Sequence, residues 1–297
     1  MARKPHMDAF GASSLIGFAV VLAFGQVVAK VSNEGMNPVF FAGVRSAGAM
    51  LCIAAWMLWR RIPIRVDPGT GWAGLLIGLC FSVEFLGLFT ALDLTTVSRA
   101  SLMFYSMPVW LTVIAHFILP GERISPLKAV GLGLAFSGVG WAILDRPANG
   151  AEASLLGDIC GIIGAFGWAG ITLCARMTAM SRVRPEVQLM WQVAISAPVL
   201  LLAAPLFGPL IRDLQPIHLW GLAFHTVILV SAGFILWLWL LSIYPASSVA
   251  SFSFLSPVFS VIFGWALLGE ALNLTIIGAL VLVSGGVLLI NLRPRAA

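Results

Sequence analysis

Charge is what this chain has least of. Only 10% of its 297 residues are Asp, Glu, Lys or Arg, against 60% hydrophobic residues and a mean hydropathy of +1.01. A water-soluble domain cannot cover its surface with so few charges, so the composition is that of a chain crossing the bilayer many times. Cysteine is scarce too. Cys52, Cys80, Cys160 and Cys174 all fall within apolar runs, without paired metal-ligand spacing, and read as small packing residues. No metal site or cofactor is expected. The sequence also lacks a His-Glu-x-x-His pair, a Gly-x-Ser-x-Gly elbow, a close acidic pair at membrane depth and a phosphate-binding glycine loop. Those absences argue against an intramembrane enzyme and against ATP drive by this chain. A channel usually lines its pore with repeated polar or charged positions, which are missing as well.

What the chain does have is long apolar stretches, each near the roughly 20 residues a helix needs to cross the hydrocarbon. Ten spans are predicted, at 10–31, 37–59, 72–92, 95–119, 126–144, 155–176, 185–207, 217–241, 247–268 and 273–292. None alternates apolar with polar as a membrane strand would, so the fold class is all-α and polytopic. The first stretch follows Arg3 and Lys4 but lacks a small-residue cleavage site, and is read as a retained helix. With the N-terminus inside, the inner loops hold Arg3, Lys4, Arg60, Arg61, Arg65, Arg123, Lys128, Arg176, Arg182, Arg184, Arg293 and Arg295, most of the 17 basic residues. Arg99, Arg146 and Arg212 stay outside. This one-sided distribution accounts for the net charge of +5 without a nucleic-acid partner, and places both termini in the cytoplasm.

The chain is also a duplication. Ser106-Met107-Pro108-Val109 running on to Gly121-Glu122 is repeated as Leu255-Ser256-Pro257-Val258 running on to Gly269-Glu270, and Pro38, Trp72 and Ala23-Phe24-Gly25 find counterparts in Pro185, Trp220 and Ala165-Phe166-Gly167. The predicted repeats are residues 1–149 and 150–297, five spans each. An odd number of crossings starts the second copy on the other side, so the repeats are inverted. Pro108 and Pro257, at equivalent depth in the fourth and ninth spans, are expected to kink them as a static bend or a hinge. Gly74, Gly78, Gly157, Gly161, Gly164, Gly167 and Gly170, and likewise Gly131, Gly133, Gly138, Gly140, Gly278, Gly285 and Gly286, suggest close helix packing.

Charges at membrane depth are the first candidates for function. Glu84 lies about eight residues in from the outer end of the third span, on the order of 12 Å deep. Arg45 is at nearly the same depth in the second span, so an Arg45–Glu84 ion pair is predicted, with Arg99 a rival partner. A proton-coupling carboxylate or a contact to a substrate ammonium are the functional alternatives for Glu84. His225 in the eighth span could titrate near neutral pH, donate to a substrate or simply pack. His116, His218, Asp158 and Lys30 are assigned to span ends, and Glu122 and Glu270 are expected to cap the helix that follows each of them. Trp56, Trp59, Trp72 and Trp220 fit an interfacial belt.

The Pro-Val and Gly-Glu pairs, Pro38 with Arg45 seven residues on, and Ala23-Phe24-Gly25 together resemble the drug/metabolite transporter superfamily, and within it the EamA-type carriers. The resemblance covers nearly the whole chain, with one departure: an extra residue in the first copy between Pro108 and Glu122, near Pro120. Length and general character are similar to the YddG-type exporters of aromatic and neutral amino acids. What the resemblance implies is a secondary carrier in a bacterial inner membrane, handling a small-molecule substrate, able to act as a monomer, with a central cavity lined by spans one, three, four, six, eight and nine. A multidrug or cationic-compound exporter of the same superfamily is the alternative. On those spans Phe81, Tyr105 and Trp168 are deep aromatic residues, and Gln26, Ser101, Thr172, Ser253 and Ser256 offer neutral hydrogen-bonding groups. Each serves equally well as packing or interhelical glue.

Overall fold

The computed structural model describes residues 8–63, 68–119, 123–145, 154–244 and 255–291. Arg3, Lys4, Arg65, Pro120, Glu122, Arg146, Ser253, Arg293 and Arg295 lie outside them. Among the described residues the structure is all helical, with one isolated backbone bridge between Met36 and Ile211. The first five crossings are formed by α1 (Ala9–Gly35), α2 (Pro38–Trp59), α3 (Gly71–Leu94), the broken pair α4 (Val97–Phe104) and α5 (Met107–Ile118), and α6 (Pro126–Leu144). The second five are α7 (Leu155–Met177), α8 (Pro185–Ala203), the run from α9 (Pro216–Ala223) through a π-helical stretch (Phe224–Gly233) to α10 (Phe234–Ile243), then α11 (Leu255–Leu268) and α12 (Leu274–Asn291). Among the described residues nine of these stretches are long and apolar enough to cross a membrane, and the ninth predicted span, 247–268, is described from Leu255 on as the shorter apolar helix α11.

Local sequence accounts for where the helices begin. Asp8 accepts a hydrogen bond from Gly11 N, Asn37 from Val39 N and Phe40 N, Thr96 from Arg99 N, Ser125 from Lys128 N and Ser154 from Gly157 N. Each satisfies an amide that the first turn leaves without a partner. Pro38, Pro126, Pro185 and Pro216 stand in first turns, where the missing amide costs nothing.

Pro108 does more than bend the fourth crossing. It interrupts it: α4 ends at Phe104, Tyr105 and Ser106 form a turn, and α5 starts at Met107. Lacking an amide, Pro108 cannot donate to Phe104 O, and Ser106 N falls back on Met103 O at 3.3 Å. Pro257 lies in the first turn of α11.

Helices α2 and α8 pack on each other, as do α6 and α12, so the second crossing meets the seventh and the fifth meets the tenth. Each is a helix against its own counterpart, as an in-plane pseudo-twofold axis between inverted repeats requires. Glycine sets the closest seams. A Cβ on Gly87 would stand 2.5 Å from Gly164 N, and one on Gly167 would stand 2.4 Å from Glu84 N, so α3 and α7 touch backbone to backbone. Gly131 and Gly286 do the same for α6 and α12. Gly74, Gly78, Gly138, Gly157, Gly161, Gly170 and Gly278 also face close neighbours, whereas Gly133, Gly140 and Gly285 meet nothing within 4 Å. Among the described residues these three therefore lack the close packing expected of them, their helix faces being turned away from neighbours.

Several depth assignments are corrected. Asp158 does not reach toward a headgroup layer: it is fully buried, and Arg99 grips it through Nε at 3.2 Å and Nη2 at 2.6 Å. Arg99 is thereby committed to α7 and is no partner for Glu84. Lys30 Nζ donates to Leu92 O and Thr95 O at the end of α3, where a cation suits the carbonyl end of a helix. His218 is buried and caps α9, its Nδ1 accepting from Gln215 N. Glu270 is buried and caps a helix of the other repeat rather than the next one: Val97 N, Ser98 N and Ser98 Oγ all donate to it. Trp59, Trp72 and Trp220 are exposed, as an interfacial belt needs.

Candidate functional site

A cavity of about 270 Å³ lies between the repeats, bordered by α1, α2, α3, the α4–α5 break, α7, α8, the π-helical stretch, α10 and α11. Its walls are chiefly aromatic and aliphatic. Phe81, Phe85, Leu88 and Phe89 come from one face of α3, where a spacing of three to four residues stacks side chains in a row. Opposite them, Phe104 and Trp168 are stacked with ring centroids 5.1 Å apart, and Tyr105 meets Trp168 edge-on at 5.9 Å. The turn made by Pro108 is what swings Tyr105 inward between the ends of two short helices.

Few polar groups interrupt these walls. The Tyr105 hydroxyl faces Gln26 and Ser256, and Gln26 Oε1 accepts from Ser101 Oγ. Gln188 and Gln192 add one turn of amides from α8. His225 Nε2 donates to Gly25 O, 2.8 Å away, while its Nδ1 is buried without a partner. Its ring packs against Phe41 and Phe89. Placing His225 at the start of the π-helical stretch turns it toward α1, and such stretches recur at functional sites.

Arg45 and Glu84 both border the cavity. They interact electrostatically, yet the guanidinium makes no hydrogen bond: Nε, Nη1 and Nη2 are all buried without a partner. The predicted direct contact between them is therefore absent. Arg45 is held by aromatic faces instead, its Cζ 3.7 Å from the centroid of Phe85 and 5.0 Å from that of Phe89.

Of the residues expected to form the site, Gln26, Phe81, Glu84, Tyr105, Trp168, His225 and Ser256 line the cavity. Ser101 stands behind Gln26. Thr172 is turned to its own helix, donating to Trp168 O at 3.2 Å. Ser253 lies outside the described residues. Pro108 and Pro257 border a small void shared with Tyr105 and Trp168, directly beneath the main cavity wall. The sequence reading missed Phe85, Phe89, Gln188 and Gln192. Phe81, Phe85 and Phe89 recur every four residues, and Gln188 and Gln192 repeat that spacing within an apolar helix, so a helical-face count would have found all four.

The cavity is not centred. Its lining runs from Arg45, Phe89 and His225 to Leu15, Pro185 and Trp237, which lie nearer the end at which α1 starts. The family model for EamA-like transporters matches the chain twice, over residues 9–144 and 155–292. The chain belongs to the EamA-like transporter family. Relatives of this EamA-like chain include the uncharacterized transporter YoaV of Bacillus subtilis strain 168, 23% identical over 91% of this chain and 93% of the relative. A second, YvbV of the same organism, is 25% identical over 95% and 92%, and an uncharacterized transporter of Archaeoglobus fulgidus is 24% identical over 86% and 89%. A solved crystal structure shares the fold with a TM-score of 0.65 at 20% identity, covering 94% of this chain and 97% of that one. An EamA-like protein of this build is a multi-pass membrane transporter.

Proposed function

We propose that this transporter exports small amphipathic metabolites, foremost aromatic and other neutral amino acids, by alternating access through the central cavity. The supporting observation is the cavity itself: ring-bearing walls from Phe81, Phe85, Phe104, Tyr105 and Trp168, interrupted by a few polar side chains. Apolar walls with a small number of placed polar groups suit a solute with one apolar and one polar end. Exchange of conformation between the repeats moves the mouth from one side to the other without moving the site. The excess of basic residues in the loops at the end where α1 starts supports a cytoplasmic setting for that end, in an inner (plasma) membrane, with the cavity facing the cytoplasm.

Counterflow in liposomes against a panel of amino acids and cationic drugs, with and without a pH gradient, tests the reading. Saturable counterflow of amino acids is expected, reduced by Tyr105→Ala and Trp168→Ala. Counterflow of cationic drugs alone would replace it with a multidrug exporter, and non-saturable flux would replace it with a channel. Tags at both chain ends should be found on the cytoplasmic side.

A further inference from the structure

We infer that Arg45 is the receptor for a substrate carboxylate, and that the site takes a zwitterion whose ammonium group turns to Glu84; this rests on the reading of the cavity as the substrate chamber. Arg99, Arg212 and Lys30, the basic chains nearest to it along the bundle, are each engaged. Arg99 is spent on Asp158 and Ala142 O, Arg212 on Asp93 and Asn33 O, and Lys30 on the carbonyls ending α3. Arg45 alone among these has three guanidinium nitrogens buried without an acceptor, and it lines the central cavity.

A bare guanidinium at membrane depth is costly, and natural chains keep one there where it serves a pathway or a ligand. The rings of Phe85 and Phe89 lie against the guanidinium and offer no hydrogen-bond acceptor in their planes, so its three buried nitrogens remain to be met by a planar anion from the cavity that Arg45 lines. Charge balance sets the substrate class. A simple organic anion would meet Arg45 but bring a second negative charge near Glu84. A simple organic cation would suit Glu84 but stand near Arg45. A zwitterion satisfies both, and its apolar side chain is left for the rings of Phe81, Phe104 and Trp168.

The test uses the full-length wild-type carrier in liposomes, with labelled phenylalanine in counterflow competed by unlabelled phenylalanine, phenylalaninamide and 3-phenylpropionate. Phenylalanine should compete about 100-fold better than the amide, which lacks the carboxylate, or the acid, which lacks the ammonium. Arg45→Gln should weaken competition by phenylalanine about 100-fold while leaving the amide within a few-fold, and Arg45→Lys should restore little of the loss, a lysine having no planar fork. A merely structural role would lower both ligands together. Equal competition by phenylalanine and its amide on the wild type would overturn the inference while leaving the chamber intact, and that comparison needs no variant to fold. No counterflow of any neutral amino acid would bring down the proposed function and this inference with it.

Discussion

The two ends of the bundle are built differently. At the end where α1 finishes, the repeats are bolted together by polar contacts. Arg99 joins α4 to α7 through Asp158, Glu270 joins the loop after α11 to α4, and Thr275 donates to Asp145 between α12 and the end of α6. Arg212 reaches from the loop before α9 to Asp93 and Asn33 O, and Asn37 N donates to Leu210 O at 3.0 Å. At the end where α1 starts, Tyr244 Oη donates to Asp8 at 2.6 Å and Cys174 Sγ donates to Ala73 O at 3.4 Å. The cavity lining reaches toward this second end. Helix ends carry amides and carbonyls without intrahelical partners, and side chains that satisfy them across the pseudo-twofold axis join the repeats there.

The sharpest way to break this contrast is Arg99→Gln, which strips the guanidinium from a fully buried Asp158. A loss of about 3–5 kcal/mol is expected, read as the largest fall in unfolding midpoint in detergent of any variant considered. Gly167→Val acts on the scaffold, since its Cβ would collide with Glu84 N. It should cost about 1–3 kcal/mol and depress transport, whereas Gly133→Val, on an open face, should stay within about 0.5 kcal/mol. Equal losses for the two glycines would remove the seam between α3 and α7 from the account.

Glu270→Gln keeps the shape of the cap but removes the charge that meets the start of α4. A cost of about 1–2 kcal/mol to the polar seam at the end where α1 finishes is expected, so a cysteine placed at buried Thr90 in a cysteine-free background should label faster with an impermeant maleimide added at that end. Unchanged labelling would show that Glu270 does not hold that seam. Asp93→Asn should have the smallest effect, below about 1 kcal/mol and fading with added salt, because the Arg212–Asp93 pair is partly exposed.

Much of this arrangement can be read from the residues. The Pro-Val and Gly-Glu pairs mark the duplication, and run lengths mark the crossings. Gln26, Phe81, Glu84, Tyr105, Trp168, His225 and Ser256 could be placed on inward spans once a central cavity was expected. Pairing was harder to read. Depth along a helix put Arg45, Arg99 and Glu84 within reach of one another, but which side chains meet depends on helix rotation, and Arg99 faces α7. Asp158, near a helix end, had to be seen against its neighbours to be recognised as buried. Glu270 looked like the cap of the following helix because sequence distance favours it, while the folded chain brings the start of α4 closer.

Composition, periodicity and repetition determined that the chain crosses the membrane about ten times in two inverted copies, since length, hydropathy and duplication are properties of each segment taken alone. Only the tertiary structure decided that Arg99 belongs to Asp158 and that Arg45 is left without a hydrogen bond over the rings of Phe85 and Phe89. Those outcomes depend on distances between helices, which the close glycine seams and the turn before Pro108 set together and no single segment contains.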